Sequence, residues 1–166
     1  MCGIVGYIGH KEAKNIILNG LKRLEYRGYD SSGISTIEEQ AIVTSKCKGK
    51  ISTLSLKVDN KNHNGSIGIG HTRWATHGKP NQINAHPHHD QDNKFSLIHN
   101  GIIENHFTIK KFLIEKGVVF NSETDSEVLV QFISYLYKEH KMNFFDAVKL
   151  ALKEVVGAYG ILVLCN

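Results

Sequence analysis

The sequence is poor in proline, cysteine and tryptophan. Its 166 residues include only 2 Pro, 3 Cys and 1 Trp. The low proline count excludes collagen-like and proline-rich disordered chains. The cysteines, Cys2, Cys47 and Cys165, are odd in number and form no CxxC pair, which argues against a disulfide framework and predicts a reducing compartment. We therefore expect a cytoplasmic protein.

Long apolar runs and a strong excess of one charge are also missing. The longest apolar runs are far shorter than the roughly 20 residues that cross a bilayer, and the first one is too short for a signal peptide, so no membrane partner is expected. A net charge of +4, scattered along the chain, does not predict binding to nucleic acid. The length predicts a single domain over residues 2–166.

Apolar periodicity predicts an α+β domain with helices layered on mixed sheets. The predicted strands are 3–8, 34–37, 41–45, 67–71, 95–99 and 160–164. The predicted helices are 11–24, one around 109–113, 124–136 and 143–156. Residues 51–58 fit either type, and 71–93 are expected to be a long irregular segment. Because the last strand has no successor, we expect a C-terminally incomplete fold whose free strand edge favours a homo-oligomer.

Cys2 is the sharpest chemical feature. Removal of the initiator Met1 would leave a thiol and a free α-amine on the same residue. An α-amine loses its proton only slightly above neutral pH, so it can serve as the base for its own side-chain nucleophile. The alternative is a small buried hydrophobic residue at the start of a strand.

Two polar clusters directly follow predicted strands. The first runs from His71 to Gly78 and contains Arg73, whose planar guanidinium can bind a carboxylate through two hydrogen bonds. In the second, His99-Asn100-Gly101, a side-chain amide and a backbone N–H can stabilise one developing oxyanion. A surface ion pair for Arg73 and a hairpin turn at Asn100-Gly101 are the alternatives.

Asp125 lies at the predicted start of a helix, where the helix dipole and capping favour acidic residues. If its carboxylate faces Arg73, the two side chains form a clamp for a zwitterion. Arg73 would then bind a carboxylate and Asp125 an ammonium group. The capping interpretation and the binding interpretation both stay open on this evidence.

The segment His86-Pro87-His88-His89-Asp90 is rich in metal-ligating side chains. Its spacing matches neither HExxH nor a paired CxxC motif, and Pro87 forces an extended loop in which neighbouring side chains diverge. We therefore predict no metal site.

Several motifs, in order along the chain, resemble the class II glutamine amidotransferases. These are Cys2-Gly3-Ile4-Val5-Gly6, His71 to Gly78, His99-Asn100-Gly101 and Glu123-Thr124-Asp125. Further segments make the chain similar to the glutamine:fructose-6-phosphate amidotransferase family within that class. They are 24–31, 84–88 and 100–105, together with the tryptophan-containing 71–78.

The resemblance implies a four-layer αββα sandwich of the N-terminal-nucleophile hydrolase type. It implies an enzyme without cofactor that hydrolyses L-glutamine to glutamate and ammonia through a thioester on Cys2. In that scheme Asn100 and Gly101 form the oxyanion hole. The implied substrate-binding residues are Arg73, Trp74, Thr76, His77 and Asp125. The implied supporting residues are Arg27 and Asp30.

In the family that the chain resembles, a sugar-phosphate isomerase domain uses the ammonia to make glucosamine 6-phosphate. That domain is absent here, so the expected partner is an isomerase domain or chain that accepts the ammonia. Two other functions stay open at this point. The chain could be an inactive fragment that binds glutamine or a partner, or the glutaminase domain of another class II amidotransferase.

Overall fold

Two antiparallel sheets lie face to face in the computed structural model, which describes residues 2–74, 79 and 81–166. The first sheet has the order β1 (Gly3–Ile8), β4 (Ile67–Arg73), β2 (Ser31–Glu38) and β3 (Ala41–Lys48). The second has the order β5 (His88–His89), β6 (Phe95–Ile103) and β7 (Gly157–Cys165).

All strand pairs among the described residues are antiparallel, so the expectation of mixed sheets is wrong. The reason lies in the order of the first sheet. Strands β1 and β2 run in the same direction, but β4 lies between them and pairs with both. The helical connection between β1 and β2 therefore skips one position in the sheet.

Helices α1 (Ala13–Leu24) and α2 (Ile51–Asp59) cover the outer face of the first sheet. A short 3-10 turn, Glu25–Arg27, continues directly from α1. Residues 51–58, whose sequence fitted either a helix or a strand, are helical because the buried residues recur every three to four positions. These residues are Ile51, Leu54 and Val58.

Three helices cover the second sheet: α3 (His106–Glu115), α4 (Asp125–Glu139) and α5 (Phe144–Glu154). The backbone N–H of Glu127 donates to the Thr124 hydroxyl at 3.2 Å, so Thr124 caps the start of α4. The Asn143 side chain caps α5 in the same way, accepting from the N–H of Asp146 at 2.9 Å.

The inner faces of the two sheets also contact each other. Ile69, Ile98 and Leu164 are buried there, and the Ser96 hydroxyl donates to the Ser35 hydroxyl at 2.8 Å. Helices, two sheets and helices thus stack in the order αββα, as expected from the resemblance.

Several strands extend beyond their predicted ends. Strand β6 continues through Asn100 and Gly101 to Ile103, so these two residues are not a hairpin turn. Their pairing partner is β7, about 60 residues further along, which local sequence patterns do not reveal. Likewise, β4 runs on to Arg73 and β5 pairs with β6, so the segment 71–93 is not irregular throughout.

Within the described residues, no helix combines the length and apolarity needed to cross a membrane.

Truncation of Ile98 to alanine tests the packing between the sheets. Its side chain is completely buried, so Ile98→Ala should lower the free energy of unfolding by about 2–5 kcal/mol. Ile8 is 77% exposed, and Ile8→Ala should change the free energy of unfolding by less than about 0.5 kcal/mol. Urea unfolding measures both, and equal effects would contradict the arrangement of the sheets.

Candidate active site

A cavity of about 420 Å³ opens where the start of β1, the ends of β4 and β6 and the start of α4 converge. This cavity is lined by most of the site residues that were predicted from the sequence. They are Cys2, Arg27, Arg73, Trp74, Asn100, Gly101 and Asp125. Further lining residues do not belong to the predicted site. They are His71, His86, His99, Ile102, Thr124 and Ser126.

Strand pairing places Cys2 at the cavity. Gly3 lies opposite Thr72, and its N–H donates to the Thr72 hydroxyl at 3.1 Å. The preceding residue then meets the chain beyond β4, where the N–H of Trp74 donates to the Cys2 Sγ at 3.2 Å. A backbone donor at this distance stabilises negative charge on the sulfur.

Asn100 lies next to Cys2. Its side-chain Nδ2 donates to the Cys2 carbonyl at 3.1 Å, while its Oδ1 lies 2.7 Å from Nε2 of His71. The following residue, Gly101, has φ of +128°, and a Cβ there would lie 2.3 Å from the Ala158 carbonyl oxygen. This strand position therefore accepts only glycine.

Arg73 is 94% buried at the end of β4, with its side chain on the cavity wall. Burial lowers the pKa of its guanidinium, and the nearby Cys2, Asp30 and Asp125 oppose that shift. Its Nη1 donates to the Lys79 carbonyl at 3.5 Å. A guanidinium in this position can receive an anionic group from the cavity.

Asp125 is the first residue of α4, and its carboxylate lines the same cavity as Arg73. Its Oδ2 accepts from the N–H of Ile103 at 3.0 Å, and its Oδ1 lies 3.7 Å from Nδ1 of His99. The side chain stays 19% exposed. The favourable helix position and the place on the cavity wall therefore coexist.

Trp74 and Asp30 also belong to the predicted site residues that the structure describes. Trp74 is 45% exposed and contacts the ring of Tyr29 edge-on, with ring centroids 5.8 Å apart. Asp30 lies behind Arg73, where its N–H donates to the Arg73 carbonyl at 3.1 Å. Thr76 and His77, which the resemblance placed at the substrate, lie outside the described residues.

Buried histidines extend from the cavity into the space between the sheets. The rings of His71 and His86 stack with centroids 4.2 Å apart, and His86 meets His88 edge-on at 4.9 Å. Burial lowers the pKa of His71 to about 4 and that of His86 and His88 well below the ordinary value. These side chains are therefore neutral at neutral pH.

The histidine-rich segment is held by protein contacts. Nδ1 of His86 accepts from the N–H of His99 at 3.4 Å, and Nε2 of His88 lies 3.0 Å from the Thr124 hydroxyl. Among residues 2–74, 79 and 81–166, no three or more His, Cys, Asp or Glu side chains are grouped so that they could hold a metal ion.

A model of the glutamine amidotransferase domain matches residues 57–144 of this chain. The chain belongs to this amidotransferase family. Its relatives include a glutamine–fructose-6-phosphate aminotransferase (isomerizing) of Bacteroides thetaiotaomicron, 54% identical over 99% of the chain, and one of Pyrococcus horikoshii, 50% identical over 99%. The amidotransferase chain spans 27% of the length of each.

Solved structures agree with this family assignment. The glutamine phosphoribosylpyrophosphate amidotransferase of B. subtilis superimposes with a TM-score of 0.84 at 28% identity, covering 99% of this chain and 35% of that one. An allosteric regulatory enzyme of purine biosynthesis gives 0.85 at 29% identity with the same coverage. The expected N-terminal-nucleophile hydrolase fold is thereby confirmed for this amidotransferase domain.

The buried histidines predict a loss of stability in mild acid. Because their pKa is depressed in the folded protein, the unfolded chain alone binds protons as pH falls from about 6.5 towards 4. The free energy of unfolding should therefore fall by up to about 1.4 kcal/mol per pH unit for each such histidine. This contribution to the pH dependence should fade above pH 6.5 and be negligible by about pH 7.5.

Urea unfolding between pH 7.5 and 5 measures this slope. His63 provides a matched variant outside the cavity, buried between the Thr36 and Ser45 hydroxyls with its pKa lowered to about 4 by burial. His63→Asn should make the slope shallower. A stability that does not change over this pH range would contradict the neutral state of these histidines.

Proposed function

We propose that the domain hydrolyses L-glutamine to glutamate and ammonia, with Cys2 as the nucleophile. One observation carries this proposal: the Cys2 thiol, the Asn100 amide, the Arg73 guanidinium and the Asp125 carboxylate line the same cavity. Its volume of about 420 Å³ lies within the usual range for small-molecule sites.

The charged groups of the cavity suit the zwitterionic end of glutamine. Arg73 offers a fork of N–H donors for the α-carboxylate. Asp125 offers its carboxylate for the α-ammonium group. Held at that end, the substrate extends its side-chain amide towards Cys2, and fixing this orientation contributes to the rate by reducing the entropy lost at the reacting centre.

Removal of Met1 would free the α-amine of Cys2 to act as the base. The amine takes the thiol proton, and the sulfur attacks the side-chain carbonyl carbon of glutamine, forming a C–S bond. Collapse of the tetrahedral intermediate breaks the C–N bond, and the protonated amine returns its proton to the leaving ammonia. Water then hydrolyses the thioester, which releases glutamate and restores the thiol.

The tetrahedral intermediate carries negative charge on the former carbonyl oxygen. Nδ2 of Asn100, already 3.1 Å from the Cys2 carbonyl, has a second N–H available for this oxygen. The N–H of Gly101 is the second proposed donor. Donors fixed before the reaction stabilise such charge without reorganisation, which typically contributes roughly 10²–10³-fold to kcat for each donor.

The ammonia has a proposed destination in a longer polypeptide. The relatives named above are called glutamine–fructose-6-phosphate aminotransferases, and this chain spans 27% of their length. By this similarity we assign the ammonia to the amination of fructose 6-phosphate at an isomerase domain or chain, with glucosamine 6-phosphate as the product.

Replacement of Cys2 tests the nucleophile. Cys2→Ala should abolish glutamate release from glutamine, because no other thiol lines the cavity within the described residues. The matched control, Cys165→Ala, should retain it, since Cys165 lies at the far end of β7 and pairs with Phe95. Glutamate is assayed enzymatically, with intact mass confirming removal of Met1. Binding of glutamine without turnover by the processed wild type would contradict hydrolysis.

Replacement of Arg73 tests the substrate clamp. Arg73→Lys keeps the charge but loses the bidentate fork, so KM for glutamine should rise roughly 10–100-fold with a smaller change in kcat. Arg23→Lys, at an exposed position on α1, should leave both constants unchanged. Steady-state kinetics separate the two constants, and an unchanged KM in Arg73→Lys would refute the assigned contact.

A further inference from the structure

We propose that His71 is a positioning residue that fixes the side-chain amide of Asn100 in the orientation needed to stabilise the oxyanion. This inference rests on the proposed hydrolysis of glutamine and adds to it a residue outside the predicted set of site residues. His71 would not contact the reacting atoms as a donor. It would act through Asn100, whose Oδ1 lies 2.7 Å from Nε2 of His71.

The donors and acceptors around Asn100 determine which way its amide points. The Cys2 carbonyl can only accept a hydrogen bond, so the amide nitrogen of Asn100 must face it, at 3.1 Å. The amide oxygen then faces His71. Because that oxygen can only accept, Nε2 of His71 must carry the proton.

The rest of the His71 environment is consistent with this single state. Burial lowers the pKa of His71 to about 4, so the ring is neutral at neutral pH and carries one N–H. With that proton on Nε2, Nδ1 is a bare acceptor, and it has no hydrogen-bond partner among the described residues. The ring stacks on His86, with centroids 4.2 Å apart, which restrains its plane.

The backbone on both sides of the contact is also restrained. His71 lies on β4, where Ile4 of β1 and Gly33 of β2 flank it in the sheet. Asn100 lies on β6 of the opposite sheet, paired with Gly160 of β7. The hydrogen bond therefore joins two rigid strands across the space between the sheets. The His71 donor on β4 fixes the orientation of the Asn100 amide on β6.

Loss of the His71 donor should affect the transition state more than the ground state. Glutamine would still be held by Arg73 and Asp125 at its zwitterionic end. Without its donor, the Asn100 oxygen would be left unpaired in a partly buried place, and the amide would no longer be confined to the orientation that presents Nδ2. The expected signature is a lower kcat with little change in KM.

Two amide substitutions distinguish positioning from a general structural role. The side-chain nitrogen of Gln can reach the place of the imidazole Nε2, whereas that of Asn reaches only as far as Nδ1. We expect His71→Asn to lower kcat for glutamate release roughly 10²–10³-fold, the size of a lost oxyanion donor. In His71→Gln, kcat should recover to within roughly 10-fold of the wild type, with KM within about 3-fold in both variants.

His63→Asn is the matched control. His63 is also fully buried, with its pKa lowered to about 4 by burial, but it binds Thr36 and Ser45 away from the cavity. The His63→Asn variant should be less stable than the wild type but keep its kcat. A decrease in kcat equal to that of His71→Asn would show that loss of any buried histidine has this effect, and would overturn the inference.

Alkylation of Cys2 by iodoacetamide gives an independent measurement. In that reaction the sulfur displaces iodide from carbon, a C–S bond forms, and no oxyanion develops. The rate should therefore be the same in wild type and His71→Asn. A rate that falls in parallel with kcat would mean that the cavity itself has changed, and would overturn the positioning role.

The outcomes separate this inference from the proposed function. No glutamate release by the processed wild type would refute the hydrolysis itself. Normal release by wild type together with an undiminished kcat in His71→Asn would refute only the role of His71. Equal losses in the Gln and Asn variants would also refute it, because the position of the donor would then not matter.

Discussion

The antiparallel pairing of β1 with β4 is the constraint on which the rest of the cavity depends. Gly3 faces Thr72 in this register, which brings the Cys2 sulfur to the N–H of Trp74. Side chains alternate between the two faces of a strand. A shift of β4 by one residue would therefore turn His71 and Arg73 towards the helices. The position of the thiol and that of the buried guanidinium are therefore two results of one register.

The interface between the two sheets is unusual for a packed core in that hydrogen bonds hold part of it. Ser35 meets Ser96 there, and His71 meets Asn100. Apolar contacts resist separation of the sheets but define their relative position only loosely, whereas paired donors and acceptors are satisfied in one arrangement. Of these two contacts, the one between His71 and Asn100 lies at the cavity, where the position of each atom matters most.

Sequence periodicity predicted the helices and most strands because each depends on local burial patterns. The start of α4 is equally local, since Thr124 caps it. Periodicity did not select the candidate site residues, which came from side-chain chemistry for Cys2 and Arg73 and from motifs taken together along the chain for Asn100 and Asp125. It could not predict β5, a two-residue strand that exists only through pairing, nor the extension of β6 along β7. The contact of His71 with Asn100 escaped prediction for the same reason, since the two residues lie 29 positions apart on opposite sheets.

The outward face of β4 is nearly bare, and α1 rests almost on its backbone. A Cβ at Gly70 would lie 2.3 Å from Ile17 Cγ2 and 3.0 Å from Leu21 Cδ1. Helix α1 runs without a break into the turn that carries Arg27 to the cavity. A methyl group at Gly70 would thus displace the helix, and with it the turn that carries Arg27 to the cavity, so this hidden strand face tolerates as little change as the cavity wall itself.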